Sequence, residues 1–419
     1  MKPTLKITLV LAILFFASLS IRVWWLDPGA AVVGDEVDYD ILAKQIVAGN
    51  GFVDENGNPT AWRTPGFPVF LASIYKIDGT EPSSARIVLA VFSASSTLFV
   101  YLFSFFLFKK ESIALISSIA WTILPTSIVL AGTLWAENIG TLLLLAAFVM
   151  CILPTEKKFF LRAVVTGILI GAAVLTRGYL IFVTLAVPFY LFTSGKSKKT
   201  ALACLIFSIL IPFGWMIRNA LALNAFTLST EAPQVVWLGS NRWTRGSWNG
   251  EWLEPNSQQK AHLLGKIPNF FEISEVERSK IYMNESIAEI TENPLRFLRL
   301  APKKIAIFLN PTSYLGFDWL YLFCLPFAFA GFLRLLESKE QRHALWLLAF
   351  PILCVGSVCV ITFGDPRFRY PVDFCFVILA SVGIMWAFEK IKVLTTRKNP
   401  ALPGLAWQVA QSKIFKTLF

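Results

Sequence analysis

Charge is scarce in this chain. Only 16% of its 419 residues are Asp, Glu, Lys or Arg, where a soluble domain carries about 25%. Histidine occurs twice, at 262 and 343, too few for a histidine-rich metal centre. The six cysteines, at 151, 204, 324, 354, 359 and 375, all lie inside apolar runs. That is the placement of small buried hydrophobes, not of a disulfide framework or a zinc site. No internal repeat or low-complexity tract is visible, and disordered and collagen-like classes are excluded by composition.

What the chain has instead is apolar surface. Hydrophobic residues make up 55%, phenylalanine alone supplies 37, and the mean hydropathy is +0.61. A soluble core of this length cannot absorb so much, so the expected fold class is an all-α polytopic membrane protein. Apolar runs at 5–23, 85–108, 112–131, 138–153, 163–178, 179–193, 200–217, 318–336, 344–362 and 370–388 predict about ten transmembrane helices. The first carries a passable small-x-small cleavage site at Ser18-Leu19-Ser20. Arg22-Val23-Trp24-Trp25 reads as an interfacial belt, so an uncleaved anchor is expected.

The net charge of +11 does not call for nucleic acid. With the N-terminus inside, the cytoplasmic segments (the N-terminus, 109–111, 154–162, 194–199, 334–343 and the tail from 389) hold 19 of the 38 basic residues and five of the 27 acidic ones. The whole excess therefore sits on one side, as the positive-inside rule requires. The expected organisation is a transmembrane core over 1–218 with a first outer loop at 24–84. An extracytoplasmic segment at 219–303, C-terminal transmembrane helices at 304–388 and a basic cytoplasmic tail at 389–419 complete it. Pro65–Ile77, apolar but only 13 residues long, reads as a re-entrant or interfacial piece.

In this topology the conspicuous ionisable residues fall on the outer side: Asp35 and Glu36, Arg63 before a Pro-Gly turn, Glu137, Arg177, Arg218, Arg367 and Arg369. Such residues at membrane depth are costly and usually kept for function. Asp35 either caps a helix over 36–48 that ends at Gly49, or faces a substrate hydroxyl as base or hydrogen-bond acceptor. Arg63 either snorkels to headgroups or offers a fork of donors to a phosphate. Arg367 and Arg369, flanking Phe368, would face the same way in an extended segment. Glu137 and Arg177 are candidates to pair, and Arg218-Asn219 reads as an interfacial anchor with a cap. Trp237, Trp243, Trp248 and Trp252 read as belt, or as a sugar or headgroup surface. Pro294–Leu309, with Lys303 and Lys304, reads as a basic amphipathic helix at the outer interface.

In order along the chain, Asp35-Glu36-x-x-Tyr39, Arg63-x-Pro-Gly-Phe-Pro, Trp135-Ala136-Glu137, Leu175-Thr176-Arg177, Arg218-Asn219, Asn293 to Leu298 and Arg367-Phe368-Arg369-Tyr370-Pro371 resemble the GT-C glycosyltransferases. More narrowly, they resemble the bacterial branch of the superfamily of protein O-mannosyltransferases and the lipid A aminoarabinose transferase. The resemblance implies a GT-C bundle and an inverting glycosyltransferase. It would move a hexosyl or pentosyl unit from a polyprenyl-phosphate carrier to a lipid, glycan or protein acceptor. Asp35 would be the catalytic carboxylate; Glu36, Tyr39, Arg63, Glu137, Arg177, Arg218, Arg367 and Arg369 would bind substrate or phosphate. Arg63 falls where the aminoarabinose transferase has a phosphate-binding lysine, and Trp62 stands where that enzyme has a glutamate, so no metal and no cofactor are expected. The implied location is a bacterial inner membrane with the site on the periplasmic or extracellular side. Membrane lipids, the lipid-linked donor and the acceptor are the partners. A lipid or lipid-linked-glycan flippase, and a glycan ligase or polymerase, are the rival readings.

Overall fold

The computed structural model describes residues 3–154, 159–195, 197–248, 257–313 and 316–398. Its helices are α1 (Pro3–Trp25), α2 (Asp35–Val47), α3 (Gly66–Asp78), α4 (Pro82–Phe108), α5 (Glu111–Thr122), α6 (Pro125–Ala131), α7 (Glu137–Ile152) and α8 (Phe159–Thr176). A 3-10 stretch, Gly178–Leu185, leads into α9 (Ala186–Thr193) and α10 (Lys198–Leu223). The segment expected on the outer side holds α11 (Ala232–Ser240), α12 (Gln258–Lys266), α13 (Glu275–Glu292) and α14 (Pro294–Phe308). The chain then runs through α15 (Trp319–Glu337), α16 (Arg342–Ile361), α17 (Pro366–Arg369) and α18 (Asp373–Lys398). Among the described residues the one sheet is a two-residue pairing of Thr312–Ser313 with Gly316–Phe317.

Seven helices are long and apolar enough to cross a bilayer, and α5 with α6 makes an eighth, bent by 54°. The two shorter apolar stretches, α7 and 178–193, fill the remaining expected positions. The multi-pass all-α reading is thus borne out. The bend follows from Pro125, which opens α6 and cannot donate to the preceding turn. The Thr122 carbonyl left there is met by Arg22, which also donates to Ser18, Ser93 and Ser127. Arg22 is therefore a buried staple between α1, α4 and the bend, not the belt residue expected.

Several boundaries differ from expectation. The first-loop helix begins at Asp35 itself, after Gly34 in a left-handed conformation (φ 58°), and no side chain caps it. Gly49 does follow its end, at φ 83°. The seventh span continues past Arg218-Asn219 to Leu223 and ends on Asn224 at φ 53°, while Asn219 donates to the Thr227 carbonyl. The last helix runs on to Lys398, taking in the first ten residues of the tail expected from 389; the tail from 399 lies outside the described residues.

Pro65–Ile77 folds as α3, a 13-residue helix packed through Phe67, Leu71 and Tyr75 onto Tyr39 of α2 and Leu89 of α4. Its entry turn is fixed by Gly66, where an added Cβ would lie 2.6 Å from the Leu175 carbonyl carbon. Only glycine allows that approach, and it sets Arg63 beside the end of α8, where Arg177 follows. Among α11 to α13, Trp237 is fully buried with Leu263, Phe270 and Tyr282. It is the core of that small unit and not belt. Trp252 lies outside the described residues.

Candidate active site

The loop between α1 and α4, the starts of α7 and α17, the end of α8 and the strap before α11 meet at one cluster of charges. Asp35 accepts 2.8 Å bonds on both oxygens, Oδ1 from Arg63 Nη2 and Oδ2 from Arg367 Nη1. Asp38, one turn on along the same face of α2, accepts from Arg63 Nε at 3.0 Å and Nη2 at 2.8 Å. The remaining arm of Arg63, Nη1, carries both oxygens of Glu231 at 2.7 and 2.8 Å. Glu137 Oε1 accepts from Arg177 Nη2 and Arg367 Nε together. Four carboxylates thus face three guanidiniums.

Aromatic rings hold the guanidiniums in plane. Arg367 lies 3.7 Å from the centre of the Trp135 ring, and the buried Tyr39 ring lies under Arg63 and Arg177 at 5.4 and 6.0 Å. Arg367 is aimed by its own turn: Asp365 caps α17 by accepting from the Arg367 amide at 2.8 Å. Burial works to raise the pKa of Asp35, but Arg63, Arg367 and Arg177 outweigh it and hold the carboxyl well below the usual range. Glu231 goes the other way. Loss of hydration pushes its pKa up, Asp35 and Asp38 add repulsion, and Arg63 and Arg177 do not offset them.

Three buried polar atoms of this cluster have no partner: Glu137 Oε2, Arg177 Nε and the Tyr179 hydroxyl. Unpaired buried polar atoms cost roughly 1–3 kcal/mol each. Two donors and an acceptor left open in one place mark a spot built to receive something polar. Phe368 packs at a tilt on Tyr179 and Phe363, and Phe363 on Trp248, at ring separations of 5.2 to 6.1 Å, which carries an aromatic wall out to the surface.

Of the residues expected at the site, Asp35, Tyr39, Arg63, Glu137, Arg177 and Arg367 come together, and three do not. Glu36 is buried against Arg86 (2.9 Å) and accepts from the Leu134 amide (2.9 Å), so it ties α2 to the strap before α7. It is neither solvated nor open to a ligand. Arg218 donates to the carbonyls of Thr60 and Phe52 at 2.8 and 2.9 Å and packs on Trp215. Arg369 sits on the far side of a helical turn from Arg367, because the segment is not extended. It is spent on Asp373 at 2.6 Å and on the carbonyls of Phe308 and Asn310. Lys304 likewise donates to the Val360 carbonyl at 2.8 Å rather than reaching out to phosphates. Sequence reasoning read Asp38 as a capping partner or a solvated residue, and missed Glu231. The i, i+3 spacing from Asp35 signals the first; nothing local signals the second.

The sequence family described as dolichyl-phosphate-mannose-protein mannosyltransferase matches residues 62–217, a stretch that includes Arg63, Glu137 and Arg177. No curated protein matches the chain. Among solved structures, the archaeal oligosaccharyltransferase AglB from Archaeoglobus fulgidus, in complex with an inhibitory peptide and a dolichol-phosphate, superposes with a TM-score of 0.58 at 15% identity. The match covers 99% of this chain and 54% of that one. ArnT from Cupriavidus metallidurans bound to undecaprenyl phosphate gives 0.55 at 13% identity, over 94% of this chain and 63% of that one. The chain therefore spans between about half and two thirds of the length of these proteins. The fold is that of the GT-C glycosyltransferases.

Proposed function

We propose that this chain is an inverting membrane glycosyltransferase. It moves a sugar from a polyprenyl-phosphate carrier to an acceptor on the outer face of a bacterial inner membrane. The observation that carries the reading is the convergence of Arg63, Arg177 and Arg367 with four carboxylates and three open polar atoms at one end of the bundle. The likeness to two folds solved with dolichol-phosphate and undecaprenyl phosphate supports it.

The chemistry follows from the charges. When the bond from the anomeric carbon to the carrier breaks, negative charge grows on the phosphate oxygen, and fixed guanidiniums aimed there lower the barrier. Arg177 and Arg367, already bridged by Glu137, fill that role, and the arginines supply positive charge without a divalent ion. The donor set fits that choice: every carboxylate of the cluster is turned to a guanidinium. Among the described residues no three His, Cys, Asp or Glu side chains gather as metal ligands. Asp35, ionised and held at both oxygens, orients the incoming acceptor on the face opposite the leaving phosphate, and the configuration inverts.

A flippase would carry its ionisable residues nearer mid-membrane, between repeated halves. A deletion strain compared with its parent tests the transferase. One carrier-linked sugar should accumulate and be cleared by the wild-type chain but not by Asp35→Asn, although the purified variant still binds undecaprenyl phosphate. No accumulating sugar in the deletion strain, or full clearance by Asp35→Asn, defeats the reading.

A further inference from the structure

Glu231 is the one carboxylate of the described cluster that comes from the outer segment, and its position conflicts with phosphate binding at Arg63. Both of its oxygens occupy Nη1 of Arg63, an arm of the planar fork that a phosphate would use. The strap behind it is pinned independently of that ion pair. Thr230 donates its amide to the Ala61 carbonyl at 2.9 Å, Ser229 Oγ donates to the Trp62 carbonyl at 2.7 Å, and the Glu231 amide donates to Ser229 Oγ at 3.1 Å. Breaking the Arg63 contact therefore frees the carboxylate and leaves it at the site.

The other three carboxylates are poorly placed to take a proton. Asp35 is held by two arginines, Asp38 by two nitrogens of Arg63, and Glu137 lies only 1% exposed beneath two guanidiniums. Glu231, like Asp38, meets the Arg63 guanidinium alone, but it engages only the outer arm, Nη1, whereas Asp38 is tied to Nε and to the Nη2 that also holds Asp35. The charged groups that face it are Arg63, Asp35 and Asp38 from the first outer loop and Arg177 from the end of α8.

We propose that Glu231 is the proton acceptor of the transfer, armed by the donor: carrier phosphate takes the Arg63 fork, and the displaced carboxylate turns to the acceptor hydroxyl. This rests on the transferase reading above. In the step, the acceptor oxygen bonds to the anomeric carbon as its proton passes to a Glu231 oxygen. The bond from that carbon to the carrier oxygen breaks, and its electron pair leaves on the phosphate. Its raised proton affinity suits Glu231 to this task better than Asp35.

The two roles move binding and turnover in opposite directions. In full-length protein, Glu231→Gln should bind undecaprenyl phosphate about fivefold to tenfold more tightly, since a competing ion pair is gone. It should transfer the sugar accumulated by the deletion strain about 10²- to 10³-fold more slowly. Glu231→Ala should regain turnover with added formate, and Glu231→Asp should keep a pH-dependent rate. A purely structural Glu231 would weaken both properties and resist rescue. Weaker carrier binding or undiminished turnover in Glu231→Gln overturns the proposal and leaves the transferase standing. Failure of the wild-type chain to bind undecaprenyl phosphate removes the transferase reading itself.

Discussion

Arg367 and Arg369 stand two residues apart on one short helix and do opposite things. Arg369 is bound to Asp373 and two main-chain carbonyls and lies 3.3 Å from the Tyr321 ring, and both members of its ion pair are sealed from solvent, at 1% and 0% exposure. It closes the ends of α14 and α18 against each other. Arg367 shares Asp35 and Glu137 with two other arginines, and 29% of the Asp35 side chain stays open. An arginine sealed in with its partner is part of the fold; one whose partner opens outward is available for work.

Substitutions sharpen that contrast. Arg369→Ala should be the most damaging to folding, because it strands the Asp373 carboxylate in the bundle; roughly 3–5 kcal/mol is the usual cost of such a loss. Thermal unfolding in detergent should show a much lower midpoint, and an unchanged midpoint would break the distinction. Arg367→Ala should leave that midpoint nearly in place and slow sugar transfer by about 10²- to 10³-fold. Gly239→Ala comes next. An added Cβ would lie 1.7 Å from the Thr362 carbonyl oxygen, and such crowding costs about 1–3 kcal/mol, to be read as a lower midpoint.

The smallest effect concerns pH. The folded chain holds the Glu231 proton more tightly than the unfolded chain does. This carboxyl therefore favours the fold below its unfolded pKa and works against it as pH rises through its folded pKa. Glu231→Gln should flatten that part of the stability curve and leave the neutral-pH midpoint equal or slightly higher. A neutral-pH midpoint that falls would reverse the sign.

The long apolar helices were legible because hydropathy is a local property, and the bilayer sets its length. Asp35, Arg63, Glu137, Arg177 and Arg367 stood out because ionisable residues are rare among apolar neighbours. Their partners were not legible. Which loop leaves carbonyls for Arg218, which helix end leaves one for Arg369, and which strap brings Glu231 across 168 positions to Arg63 depend on contacts that no spacing encodes. Glu36 was misread for the same reason. Its neighbour Asp35 turns to the cluster, while one residue of helix rotation points Glu36 at Arg86.

The nine residues of α11 touch the machinery at both ends. Glu231, at its start, holds Arg63, and Gly239, near its finish, abuts the Thr362 backbone that leads into Asp365 and Arg367. A rigid rod with those two footings cannot tilt at one without pressing on the other. On the proposed reading, a ligand seated on the unit around α11 should therefore alter affinity for the carrier lipid, and the carrier should alter the grip on that ligand by the same factor.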